Sequence, residues 1–247
     1  MCIRDRNETE RFANCMKTLI LISHPKFEDS GTQQFLKTSF YSLDDVKYQV
    51  IDELYADTGK IDIDKEQAAL KAFDRIVFQF PMYWYSSPAS LKQFMDDVFT
   101  RNYIVANRSL KTKELGIVVT LGDAEADFQA GGPEAFTISE LLRPFQAFAH
   151  KAGMQYLKPF VVDQFGYMDP TQKQRMLIDY LQYLSAEMPL NLANREQWLV
   201  GRLQATKEGK SDEQQQAIDL VINSIEDQQN NVESLKEDVK MIRDQEE

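Results

Sequence analysis

Between residues 17 and 187 the apolar positions switch repeatedly between two patterns. Short continuous apolar runs, Leu19 to Ile22, Ile76 to Phe80 and Leu115 to Thr120, have the composition of buried strands, and Val46 to Ile51 alternates like a strand with one wetter face. Helical spacing lies between them. Thr32 to Ser42 carries Phe35, Leu36 and Phe40 on one side, Lys65 to Phe73 follows, and Pro88 opens a helix with Leu91, Phe94, Met95, Val98 and Phe99 inward. Phe136 to Ala152 predicts a long helix, Tyr156 to Val162 a fifth strand, and Pro170 to Glu187 a last helix. Five strands separated by helices call for an α/β fold, a doubly wound parallel sheet covered on both faces.

Such a sheet binds ligands beyond the carboxyl ends of its strands, where the strand order reverses. For the order 2-1-3-4-5 that rule selects three loops: His24 to Gly31, Pro81 to Ser87 and Leu121 to Pro133. In the first, Ser30 can cap a helix, leaving the N–H groups of Thr32, Gln33 and Gln34 at the positive end of the helix dipole, which suits a phosphate; for a lone Ser-Gly a cap and nothing more is the plainer reading. His24 at the strand tip can add a donor. The second loop holds Met82, Tyr83, Trp84 and Tyr85, where a turn is ordinarily small and polar. These rings form either a surface on which something flat stacks or a cluster folded back onto the core. The third begins with Gly122, whose neighbouring N–H groups could meet the polar edge of a ring, and holds another aromatic, Phe128.

Charge narrows the partners. The 247 residues carry a net charge of −11, which argues against nucleic acid. Residues 201 to 247 hold six Lys or Arg against twelve Asp or Glu, so more than half of that charge sits in the tail. A hydrophobic fraction of 43% fills a substantial core. No apolar run approaches the roughly 20 residues that span a bilayer. Cys2 and Cys15 both fall in the polar leader MCIRDRNETERFANCM, so no disulfide framework is expected, and a cytoplasmic protein beginning its fold at Met16 is. His24 and His150 are the only histidines, so no metal site is expected. There is no GxGxxG or Walker loop.

Read together, HP with a short loop to SGTQ, FQFPMYWYSSPASLKQFMDDVF, TLGDAEADFQAGG and SELLRPFQAF resemble the flavodoxin-like NAD(P)H:quinone oxidoreductases, and within them the bacterial general-stress-protein branch related to the ancillary reductases of potassium-efflux systems. The resemblance covers about Lys17 to Glu187. It implies a flavodoxin-like fold and an FMN cofactor, with FAD as the alternative, reduced by NADPH or NADH and reoxidised by a quinone-like acceptor. It further implies that His24, Ser30, Gly31, Thr32 and Gln33 hold the flavin phosphate. Pro81, Met82, Tyr83, Trp84 and Tyr85 would border the isoalloxazine, and Thr120, Leu121, Gly122, Asp123 and Ala124 its polar edge. Tyr83 and Tyr85 are the side chains that could orient a substrate. Two departures stand out: Asp123 and Ala124 where many members have glycines, and Phe128 where the mammalian enzymes have a Tyr, with no histidine between Leu121 and Arg143.

Members of that family are usually homodimers, and Pro88 to Phe99 with Arg101 to Ser109 are candidate interface pieces, core packing being the other explanation of the helix. A regulatory subunit of a potassium-efflux transporter is the alternative function, and a one-electron carrier a third. The organisation expected is a leader at 1–15, a flavin-binding domain at 16–198 and an acidic helical tail at 199–247. In the tail a heptad runs through Ile218, Ile225, Val232 and Val239, with Val221, Gln228, Leu235 and Ile242 at the second position, as for a two-stranded coiled coil; a solvated helix is the plainer reading.

Overall fold

The computed structural model describes residues 16–56 and 59–246. The expected leader, with Cys2 and Cys15, lies outside them. The described chain divides into two compact units, 16–185 and 186–246.

The larger unit is a parallel sheet with helices on both faces. Its strands are β1 (Thr18–Ile22), β2 (Val46–Val50), β3 (Arg75–Pro81), β4 (Glu114–Leu121), β5 (Gln155–Tyr156) and β6 (Phe160–Asp163). The order is β2-β1-β3-β4, with β5 and β6 side by side in sequence along the far edge of β4. Every residue of β1 and β3 is buried, as strands covered on both faces require, whereas the edge strand β2 is wetter. The helices of this unit are α1 (Gly31–Ser39), α2 (Ile51–Leu54), α3 (Ile63–Lys71), α4 (Ala89–Val98), α5 (Ile138–Leu141), α6 (Arg143–Ala152) and α7 (Pro170–Ser185).

Alternate strand residues serve the two faces. Leu19, Leu21, Ile76, Phe78, Phe80, Ile117 and Val119 join Leu91, Phe94 and Phe145 in one large core. Phe78 meets both Phe145 and Phe99, with ring centroids 6.0 and 6.2 Å apart. On the opposite face α1 packs on α7, and the Thr18 hydroxyl donates to the Leu184 carbonyl at 2.6 Å. At the bottom of the sheet the buried Arg75 donates through Nε to Glu114 at 2.6 Å and through a terminal nitrogen to the Tyr183 carbonyl, so its charge is paired and bonded rather than stranded.

Three expected elements differ. The strand expected over Tyr156 to Val162 is broken, because Pro159 has no N–H to give the ladder; β5 stops at Tyr156 and β6 resumes at Phe160. The helix expected over Phe136 to Ala152 is two helices with a break at Leu142, since Pro144 withdraws a donor from a continuous ladder, and Phe136 lies outside both, exposed. The first helix ends at Ser39 and tightens into a 3₁₀ turn over Phe40–Ser42. Of the two explanations for Pro88 to Phe99, the core holds: Leu91, Phe94 and Val98 are buried, as are Tyr103 and Ile104 in the π-helical turn Asn102–Ala106.

The smaller unit contains α8 (Leu192–Thr206) and α9 (Asp212–Glu246), which pack on each other. Ala186, Val200 and Ile222 are its buried apolar residues among those described, and Lys207 pairs with Asp219 at 2.6 Å. Along the expected heptad, Ile218, Ile225 and Val232 are half-buried, while Val221, Leu235, Val239 and Ile242 are exposed. None of the described helices is long and apolar enough to cross a membrane.

Candidate functional site

Pro81 ends β3, but the chain follows β4 one step further, the Met82 N–H donating to the Thr120 carbonyl at 3.0 Å. It then reverses tightly. Tyr83 and Ser86 exchange both backbone hydrogen bonds, at 2.8 and 3.1 Å, with Trp84 and Tyr85 between them at φ 46° and 64°. Two consecutive left-handed residues make a type I′ turn, whose usual occupants are Asn and Gly. Bulky side chains there are strained, by roughly 1–2 kcal/mol per residue. Trp84 is 94% exposed, and Tyr83 and Tyr85 are about half exposed. The rings therefore do not fold back onto the core; the backbone holds them out.

A cavity of about 210 Å³ opens beside this turn, lined by Met82, Trp84, Tyr85, Leu121, Gly122, Asp123, Phe128 and Glu134. Tyr85 donates its hydroxyl to the Glu134 carboxylate at 2.9 Å, and that bond holds the phenol above its ordinary pKa. Two glycines make the reach possible. Gly131 has φ 80°, and a Cβ on Gly132 would stand 2.5 Å from the Asp127 carbonyl oxygen, so the loop can close only with glycine there. The other end of the loop is fixed by Asp163 at the tip of β6, which accepts the Glu125 N–H at 2.9 Å. Between the end of β4 and Glu125, the N–H groups of Gly122, Asp123 and Ala124 take no hydrogen-bond partner among the described residues. Phe128 belongs to the hydrophobic core and is also one of the residues that line the cavity.

In the first loop Ser30 caps α1, accepting the Gln33 N–H at 3.4 Å. Among the described residues the N–H groups of Gly31 and Thr32 are unpartnered. Gln33 is fully buried; its Oε1 accepts from Gln79 Nε2 at 2.6 Å, and its own Nε2 has no partner. His24 accepts the Lys26 N–H at Nδ1, 3.1 Å, which leaves the proton of the neutral ring on Nε2, while its backbone N–H is held by Asp52 at 2.8 Å. Burial lowers the His24 pKa, and the nearby Asp52 carboxylate opposes that. The first loop thus offers two free backbone donors, an orphaned buried amide and an imidazole N–H, all suited to an anion. The second and third offer an exposed aromatic face next to three free amides. These are the needs of a phosphorylated flavin, and the residues fit one.

Glu134, Asp163 and Gln79 belong to the site without any local sequence signal that marks them. Glu134 follows the GGP turn, but only the folded loop brings it to Tyr85. Residues Phe165–Tyr167, after β6, also lie at this edge of the sheet, with Tyr167 exposed and Phe165 packed on Phe35 of α1 at 5.1 Å.

Sheet order, helix placement and loop positions together define a flavodoxin-like protein. A sequence profile for the flavodoxin-like fold matches residues 16–184, and the chain belongs to that family. It is 43% identical over 175 residues to the protein named Uncharacterized NAD(P)H oxidoreductase YrkL of Bacillus subtilis, covering 67% of this chain and 98% of that one. Among solved structures it is similar to an NADPH-quinone reductase from P. pentosaceus, with a TM-score of 0.63 at 45% identity over 68% of this chain and 98% of that one. General stress protein 14 from Treponema denticola, solved in complex with FMN, gives a TM-score of 0.62 at 30% identity over 68% and 97%.

Proposed function

We propose that the protein is an NAD(P)H-dependent flavin oxidoreductase that delivers two electrons to a quinone or a similar acceptor. The observation that carries this reading is the Tyr83–Ser86 turn, which holds Trp84 in a strained left-handed conformation almost wholly exposed beside free backbone donors. Strain of this kind persists where the surroundings impose it and the exposed group has a task. The similarity to an NADPH-quinone reductase and to an FMN complex supports the same reading.

The cofactor we infer is FMN, with NADPH or NADH as the reductant. Bound FMN would supply the two-electron redox chemistry between nicotinamide and acceptor. The chain supplies the surroundings. Gly31 and Thr32 N–H, the Gln33 amide and His24 Nε2 would hold the phosphate. Met82, Trp84 and Tyr85 would form the stacking face, and the N–H groups of Gly122, Asp123 and Ala124 the donors to the polar edge. The Glu134 carboxylate fixes the Tyr85 hydroxyl and keeps its proton in place, so the neutral Tyr85 oxygen would face a ligand as an acceptor. Nicotinamide and acceptor would use the exposed face in turn, which gives ping-pong kinetics. A cytoplasmic homodimer is the assembly we infer from the resemblance.

The test is the visible spectrum of the purified protein before NADPH, after it, and after a simple quinone. The reading predicts a yellow protein, bleached by NADPH and recoloured by quinone. Failure to take up FMN on reconstitution would overturn it. Flavin that is reduced but that no quinone reoxidises would move the chain to the ancillary role in potassium efflux.

A further inference from the structure

Gln79 is a polar side chain in the middle of an otherwise apolar strand, fully buried. Its amide is satisfied at both ends. Tyr180 of α7, itself fully buried, donates its hydroxyl to Gln79 Oε1 at 2.7 Å, and Gln79 Nε2 donates onward to Gln33 Oε1 at 2.6 Å. Burial holds the Tyr180 phenol protonated far above its usual range, so it is a standing donor. Each bond in the series has the same direction, and its last member, Gln33 Nε2, is a buried donor with no acceptor.

An amide can be turned end for end at little steric cost, but not at no electrostatic cost here. If Gln79 and Gln33 were both reversed, Gln79 would present N–H to Tyr180, whose own proton would lose its acceptor. Gln33 would then end the series with a carbonyl oxygen. Gln33 belongs to the first turn of α1, where the Gly31 and Thr32 N–H groups are free, and an amide oxygen ending the series there would disfavour a phosphate, whereas the NH₂ favours one. A buried NH₂ left unpaired is unfavourable, and an acceptor at the start of α1 would satisfy it.

We infer that Tyr180 and Gln79 are positioning residues for the phosphate of the flavin: acting through Gln33, they fix which end of its amide faces the anion. The inference rests on the flavin reading above. It assigns a binding role to a tyrosine that touches no ligand, 101 residues from the strand glutamine it orients.

The experiment compares FMN with riboflavin, which lacks the phosphate, by titrating each into the apoprotein and following flavin fluorescence. Wild type should bind FMN at least tenfold more tightly than riboflavin. In Tyr180→Phe the amides lose their direction, FMN affinity should fall about tenfold, and riboflavin affinity should stay the same. A role in packing alone would weaken both flavins together or neither. Gln33→Glu keeps an acceptor for Gln79 but has no N–H, so it should abolish the preference for FMN even if Tyr180→Phe fails to fold. Wild-type preference retained in Gln33→Glu, or in a folded Tyr180→Phe, overturns the inference. A wild-type protein that binds neither flavin overturns the functional reading, and this inference with it.

Discussion

Tyr183 places its hydroxyl oxygen 2.9 Å from the backbone nitrogen of Ile117 and 3.3 Å from the carbonyl oxygen of the same residue. Ile117 lies where the edge of the sheet is interrupted: β5 has ended at Tyr156 and β6 has not begun. A phenol from α7 therefore takes the place of a missing strand residue, accepting one bond and donating the other. Gly116 makes room for it, since a Cβ there would stand 2.9 Å from the Tyr183 oxygen. Tyr183→Phe leaves both buried backbone groups unpaired and should cost about 2–4 kcal/mol of unfolding free energy, measured by urea titration. Gly116→Ala should be destabilising too, and less so in the Tyr183→Phe background, because the two substitutions act on one contact.

The Tyr156 hydroxyl is buried with no partner, the reverse situation. Tyr156→Phe should leave stability unchanged or raise it slightly.

Trp84 sets function against stability. Replacing it with glycine removes a strained left-handed side chain and no core contact, so Trp84→Gly should raise apoprotein stability by about 1 kcal/mol. The same change should sharply weaken flavin retention. Thermal melts of the apoprotein with a flavin titration check both, and a variant that loses stability while keeping its flavin would return this turn to a structural role.

Alkaline pH should unfold the protein through its tyrosines. Burial pushes both Tyr103 and Tyr156 up to about 12. Their folded values lie above the ordinary value of about 10, so the folded state keeps these protons longer than the unfolded state does. Their contribution is complete below pH 10 and is lost as pH rises through 12. Urea midpoints should hold steady to about pH 10 and then fall, together with the rise of phenolate absorbance.

His24 should act in the opposite range. Its folded pKa is lowered by burial, so the folded state binds its proton less readily than the unfolded state. The contribution is complete above about pH 6.5 and is lost as pH falls through the lowered value. His24→Gln should flatten the stability profile there, and an NMR titration of the apoprotein should place the His24 midpoint below that of an exposed histidine.

The sheet order was legible because strands covered on both faces must be continuously apolar, and β1, β3 and β4 are. The breaks were written in Pro144 and Pro159 but are outweighed, in a pattern reading, by the apolar residues around them. The three loops followed from topology. What sequence could not reveal was whether Tyr83, Trp84 and Tyr85 face solvent or core: that depends on two positive φ angles that aromatic residues seldom adopt. The partners of the site were equally hidden. Glu134 meets Tyr85 across 49 positions, Asp163 meets Glu125 across 38, and Tyr180 meets Gln79 across 101, separations at which no local pattern links one residue to the other.

The exposure of Trp84 has an optical consequence. The chain has two tryptophans, and Trp198 belongs to α8 in the smaller unit, so residues 16–185 hold Trp84 as their one indole. An indole in water emits at long wavelength, and a flat chromophore stacked on it would both quench that emission and shield it from iodide. In a Trp198→Phe background the protein would carry its own reporter at the proposed stacking face, reading out arrival, departure and competition of ligands without a label.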